Sequence, residues 1–171
     1  NLYTLIIGID KYASDKISPL YGAVADANAM ADYVETRLKA SKKRIIILRD
    51  AEATREAIIN AFKFMAGDFK SEGPARDAFK EYEEPQTNAP ILIYYAGHGS
   101  TASRPDNLSE GEPVMQLIVP SDCTDEGSSK GSKVHAIPDR TLNGLLQILA
   151  EAKGDNITVI FDCCHSGSGT R

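Results

Sequence analysis

The chain has 171 residues, 42% of them apolar and 25% charged. That is one domain's worth of polypeptide, and it excludes both a disordered chain and a membrane protein built on long apolar runs. Nineteen basic and 24 acidic side chains leave a net charge of −5, which disfavours a general electrostatic grip on nucleic acid or an anionic membrane and favours a cationic partner.

Three cysteines, two of them adjacent at Cys163 and Cys164, cannot build a disulfide framework and lack the spacing of a zinc site. Reduced thiols and a cytoplasmic location are the expectation. The start, Asn1 to Gly8, carries no basic leader and no initiator methionine, so the chain is expected to be an excerpt whose ends are products of cutting.

In chain order, the β-branched run Tyr3 to Ile9 predicts a buried strand, and Val24, Ala27, Ala31, Val34 and Leu38 recur at helical spacing. Arg44 to Leu48 predicts a second strand, followed by a helix marked by Ile58, Ala61, Phe62 and Met65. A charged loop is expected over 67–89, with a short helix inside it, before a third strand at Pro90 to Ala96. A further loop is expected over 100–112. Gln116 to Val119, between Pro113 and Pro120, predicts a small hairpin strand outside the main sheet. After a last loop over 125–133 come a helix marked by Leu142, Leu145, Leu146 and Leu149 and a strand at Asn156 to Phe161. This alternation predicts one domain over 1–171, an α/β three-layer sandwich around a mostly parallel sheet. No G-x-G-x-x-G or Walker lysine loop follows any strand, so dinucleotide and NTP chemistry are disfavoured.

In an open parallel sheet, ligands bind beyond the carboxyl ends of the strands. Asp10 follows the first strand, Gly97-His98-Gly99-Ser100 the third, and Asp162-Cys163-Cys164-His165-Ser166-Gly167 the last. A thiol attacks as thiolate, and a nearby imidazole that takes its proton is the usual activator. His98 and Cys164 fit those roles if their strands are neighbours about 4.8 Å apart. The glycines beside His98 would let the chain turn sharply and present the Gly99 amide, with that of Cys164, to an oxyanion. Successive side chains on a strand point to opposite faces, so only one of Cys163 and Cys164 can face the cleft, and composition does not choose between them.

Tyr94-Tyr95-Ala96-Gly97-His98-Gly99 and Asp162-Cys163-Cys164-His165-Ser166-Gly167 resemble the two catalytic signatures of metacaspases, within the caspase-like cysteine peptidases. The likeness runs from the first strand through Gly22 and Asp26 to the last motif, and it matches the large catalytic subunit of that fold. It implies Cys164 as nucleophile, His98 as its partner, and a separate small subunit from the same precursor that completes the sheet. The arginine with which caspases hold a substrate aspartate has no counterpart in Ser18-Pro19-Leu20-Tyr21-Gly22. With Asp26, Asp162 and Asp122 as candidate pocket residues, cleavage after Arg or Lys is expected instead. No organic cofactor is implied. Calcium is, with Asp122, Asp125 and Glu126 as candidate ligands, although Cys123 beside them is a soft thiol that suits calcium poorly. The chain ends at Arg171, which matches the expected specificity and suggests self-processing there. The resemblance also points to autocatalytic processing and a role in programmed cell death.

Two other readings compete. One is a catalytically silent caspase-like scaffold that binds a partner, against which the presence of both His98 and Cys164 argues. The other is a thiol phosphatase, for which Ser166-Gly167-Ser168-Gly169 would cradle phosphate, but Arg171 stands one residue beyond the register such a loop needs.

Overall fold

A computed structural model describes residues 1–69, 73–103, 114–124 and 133–163 of the chain. Its elements are β1 (Tyr3–Gly8), α1 (Ala23–Thr36), β2 (Ile45–Arg49), α2 (Arg55–Ala66), α3 (Pro74–Asp77), β3 (Ile91–Ala96), β4 (Gly99–Ser103), β5 (Val114–Ile118), β6 (Ile137–Pro138), α4 (Asp139–Lys153) and β7 (Ile157–Asp162).

Four strands form a sheet in the order β2-β1-β3-β7, and every neighbouring pair is parallel. The pleat sorts the side chains of each strand between two cores. Leu5 and Ile7 of β1 and Ile91, Ile93 and Tyr95 of β3 pack with Ile58, Phe62 and Met65 of α2 and Leu142, Leu145 and Leu149 of α4. Ile6, Leu92, Tyr94 and Ala96 pack on the other face with Ala23, Ala27, Ala31 and Val34 of α1. One helix on one face and two on the other make the three layers. Both central strands are buried from end to end, which is why they read as continuous apolar runs rather than alternating ones.

The approach of α1 to the sheet is set by small residues. A Cβ placed on Gly8 would stand 2.5 Å from Ala27 Cβ and 2.9 Å from Ala23 O, so glycine on β1 and alanine on α1 are what allow the close packing. Asp10, just past β1, then holds the start of the helix: its carboxylate accepts the N–H groups of Ala23 at 2.8 Å and Val24 at 3.3 Å. The helix therefore gains its N-terminal acceptor from the end of the strand it covers.

β4, β5 and β6 form a second, antiparallel sheet, in which β5 occupies the place expected for a strand outside the main sheet. One loop expectation changes. Within 67–89 lies the expected short helix, α3, and Phe79 beyond it stacks on Phe64 at 5.1 Å. The loop expected over 100–112 begins instead as β4, whose sequence Gly-Ser-Thr-Ala-Ser carries no apolar alternation and is held by pairing with β5. Most of 125–133 lies outside the described residues. Among the described residues no helix is long and apolar enough to cross a membrane.

Candidate active site

The parallel register brings the ends of four strands to one edge of the sheet. Gly8 pairs with both Arg49 and Ala96, and Ala96 pairs with Asp162. The chain leaves this line toward His98 from β3 and toward Cys163 and Cys164 from the neighbouring β7. The neighbouring strands on which the thiol and imidazole reading depended are thus β3 and β7. Cys164 itself, with Arg171, lies outside the described residues.

His98 is held by the loop after β1. Its main-chain N–H donates to the Tyr12 hydroxyl at 2.8 Å, and its Nε2 lies 2.7 Å from the carbonyl oxygen of Ser18. A carbonyl can only accept, so this contact requires the proton on Nε2 and leaves Nδ1 as the basic nitrogen of the neutral ring. The Tyr12 ring packs against the imidazole with centroids 5.1 Å apart. The loop is anchored in turn by Asp50, whose Oδ1 accepts the N–H groups of Asp10 at 2.8 Å and Lys11 at 2.9 Å. Asp50 adopts a left-handed conformation with φ of 42°, which its side chain offsets with these two bonds.

The chain bends at Gly97, between β3 and β4 of the second sheet. The bend needs no left-handed glycine, since among the described glycines only Gly67 and Gly154 have φ between +20° and +160°. Gly97 is needed for space: a Cβ there would stand 2.8 Å from the Tyr95 hydroxyl and 3.2 Å from that of Tyr12. Gly99 opens β4 opposite Ile118. Because Val119 N–H donates to His98 O at 3.1 Å, the Gly99 and Ile118 pair is of the non-hydrogen-bonded kind, and the Gly99 N–H is directed away from β5.

At the end of β7 the pleat separates two neighbours. Asp162 lies on the α1 side, where its Oδ2 accepts the Tyr94 hydroxyl at 2.8 Å. Cys163 is half-buried against the core on the α2 and α4 side, close to Tyr95. Cys164, the other thiol of the pair, lies outside the described residues.

Asp26, in the first turn of α1, belongs with Asp162. Burial raises the Tyr94 phenol well above its ordinary value, and the hydrogen bond and charge of Asp162 and the charge of Asp26 raise it further. Asp162 thus bonds the Tyr94 hydroxyl, and the charge of Asp26 acts on it from the first turn of α1. Asp122 stands apart. Its Oδ1 accepts the N–H of Arg55 at 2.8 Å and caps α2, the helix on the opposite face of the sheet from α1, beside the Thr54 hydroxyl that accepts Ala57 N–H at 3.1 Å.

The surroundings of Asp122 also bear on calcium. A cavity of about 580 Å³ along α2 is lined by the cations Arg55, Lys63 and Lys133, which outnumber the carboxylates Glu56 and Asp122, and by His135. Cations so placed repel a divalent ion, and among the described residues no group of three or more His, Cys, Asp or Glu side chains gathers to hold a metal. Asp125 and Glu126 lie outside the described residues. Asp122 in this setting does not fit a calcium site, and no chemical step is routed through the ion.

Sequence reasoning missed Tyr12, Ser18, Tyr94 and Tyr95. Ser18 acts through a main-chain carbonyl, which leaves no residue-type signature, whereas the tyrosines were readable only as aromatic content of a strand and a loop.

Comparison with known proteins agrees with this geometry. The metacaspase peptidase C14 domain family matches residues 3–170. Metacaspase-1 of Saccharomyces cerevisiae is 26% identical over 170 residues, covering 96% of this chain and 33% of the relative. Metacaspase-1B of Neurospora crassa is 24% identical over 170 residues with the same shares, 96% and 33%. Inactive metacaspase-4 of Trypanosoma brucei brucei is 33% identical over 86 residues, 50% of this chain and 21% of that protein. A crystal structure of a Geobacter sulfurreducens protein superposes with a TM-score of 0.63 at 20% identity, covering 98% of this chain and 52% of that one. The chain spans about one third of the length of the full-coverage metacaspases, 33% in both cases. An α/β fold around an all-parallel central sheet, His98 and Cys163 at the ends of adjacent strands, and a family match over nearly the whole length lead to one conclusion: the chain belongs to the metacaspase family.

Proposed function

We propose that this chain is the catalytic unit of a cysteine endopeptidase that cuts peptide bonds after arginine or lysine. The observation that carries the reading is the state of His98: Nε2 committed to the Ser18 carbonyl at 2.7 Å, Nδ1 basic, and the strand beside it leading directly into Cys163-Cys164. Nδ1 takes the Cys164 proton, and the thiolate attacks the scissile carbonyl carbon. The oxyanion so formed receives the N–H groups of Gly99 and Cys164. As the C–N bond breaks, the imidazolium returns its proton to the leaving amine, and a thioester remains. Water, deprotonated by the same imidazole, then releases the acid and restores the thiol. The Ser18 carbonyl stabilises the imidazolium through its Nε2–H, so a Cys-His dyad suffices with a main-chain third group.

Asp26 and Asp162 supply the negative pocket for the substrate cation, with Tyr94 fixing the orientation of Asp162. The helix-capping bond of Asp122 supports reading it as structural. A small subunit from the same precursor would add beside β7, where Ile160 is 38% exposed and Phe161 48%, an unusual exposure for apolar residues on a strand.

The test is a panel of fluorogenic peptides differing only at P1, with calcium added or chelated, on wild type and Cys164→Ala. Faster cleavage after Asp than after matched Arg overturns the specificity. A second reading, a silent scaffold, is favoured by the relative named inactive, which matches half of this chain. Covalent labelling of Cys164 by an arginyl chloromethyl ketone separates the two, because a scaffold has no activated thiol to label.

A further inference from the structure

We propose that Tyr12 and Tyr95 form a two-hydroxyl clamp on the main chain of His98, and that Tyr12 is a positioning residue for the imidazole. The clamp holds both main-chain groups of one residue. The Tyr12 hydroxyl accepts the His98 N–H at 2.8 Å, and the Tyr95 hydroxyl donates to the His98 carbonyl at 2.8 Å. The two hydroxyls lie on one side of Gly97, at 2.8 Å and 3.2 Å from the position a Cβ would take there, so they close on His98 together. Tyr95 is fixed from below, 1% exposed in the core, and it also meets Val119 O at 3.1 Å and Val119 N at 3.3 Å. Tyr12 adds its ring, 5.1 Å from the imidazole.

The sequence accommodates this clamp at a cost. Gly97 sits where any side chain would press on both hydroxyls, with Tyr95 Oη 2.8 Å from the position of a Cβ. Tyr12 is only half-buried, so water could satisfy its hydroxyl equally well, yet the hydroxyl is turned to the amide of His98. The same loop brings Ser18 O to Nε2. Tyr12 therefore fixes the backbone from which the ring projects, and Ser18 fixes the direction of the ring. Burial pushes the Tyr12 phenol up to about 12, so it stays protonated and neutral wherever a Cys-His pair works.

The kinetic consequence rests on the peptidase reading, so the test has one readout that needs substrate and one that does not. Tyr12→Phe keeps the ring and removes the hydroxyl; Tyr12→Leu removes both. In the full protein, Tyr12→Phe is expected to lower kcat about tenfold with KM nearly unchanged, because a small misplacement of a catalytic group acts on the chemical step. Independently, the His98 amide is expected to lose protection from hydrogen exchange, and the imidazole NMR signals to shift, further in Tyr12→Leu than in Tyr12→Phe. A lowered melting temperature with kcat and the His98 signals unchanged would overturn the proposal and leave Tyr12 a packing residue. If the wild type cuts no peptide, the peptidase reading fails, and the clamp stands or falls on the exchange and NMR readouts alone.

Discussion

The ends of β3 and β7 lie side by side at one sheet edge but are built in opposite ways. β3 is buried along its whole length, and His98 beyond it is held at N–H, C=O and Nε2 by Tyr12, Tyr95 and Ser18. β7 keeps four of its six residues exposed, and among the described residues Asp162 at its end is held by one side-chain hydrogen bond, from Tyr94. His98 is thus fixed by the protein interior, while the acidic side of the candidate site stays open to solvent. That division suits a reaction in which proton transfer needs fixed geometry and a substrate cation must enter and leave.

The comparison breaks most visibly at its rigid half. His98→Ala should reduce kcat about 10²- to 10⁴-fold, and Cys164→Ala should reduce it to background, both measured with an arginyl fluorogenic peptide. Gly97→Ala should approach the smaller of these losses without touching a reacting group. The added methyl meets the Tyr95 hydroxyl at 2.8 Å, and overpacking of this kind costs about 1–3 kcal/mol of stability, read by denaturant unfolding. Normal activity in Gly97→Ala would mean that the clamp yields.

At the open half, smaller effects are expected. Asp162→Asn should lower kcat/KM for arginyl peptides about tenfold relative to a neutral P1 residue, chiefly through KM. Asp122→Ala should remove only a helix cap, about 1 kcal/mol, and leave P1 preference unchanged. A changed preference would return Asp122 to the pocket. The weakest effect is shared by both halves. Tyr12 and Tyr94 have folded-state phenol pKa values raised above the ordinary 10.0. Their contribution is fully present below that value and is lost as pH rises through the folded-state values. Melting temperature should therefore fall above about pH 10, and less steeply in Tyr12→Phe.

Much of the fold was legible because buried parallel strands and amphipathic helices leave strong apolar patterns. Ile6 and Ile93 sit in runs that could be little else, and α4 shows its face in Leu142, Leu145 and Leu149. β4 was not legible: Gly99–Ser103 is small and polar, and its strand character comes from pairing with β5. In the site, His98 and the cysteine pair stood out as motifs at strand ends. The Ser18 carbonyl could not, since every residue has one, and the grouping of Asp26 with Asp162 but not Asp122 depends on which sheet face each helix covers. Tyr12 had a faint signal, an aromatic in a loop directly after a buried strand, but nothing in the sequence pairs it with His98.

The central claim is that His98 activates the thiol of Cys164 across β3 and β7. The most direct measurement is the pH dependence of Cys164 alkylation by iodoacetamide, followed by mass spectrometry in wild type and His98→Ala. The account predicts a reactive thiolate in the wild type at pH well below the free-cysteine value of about 8.5, and an ordinary thiol profile in His98→Ala. Superimposable profiles in the two proteins would contradict it.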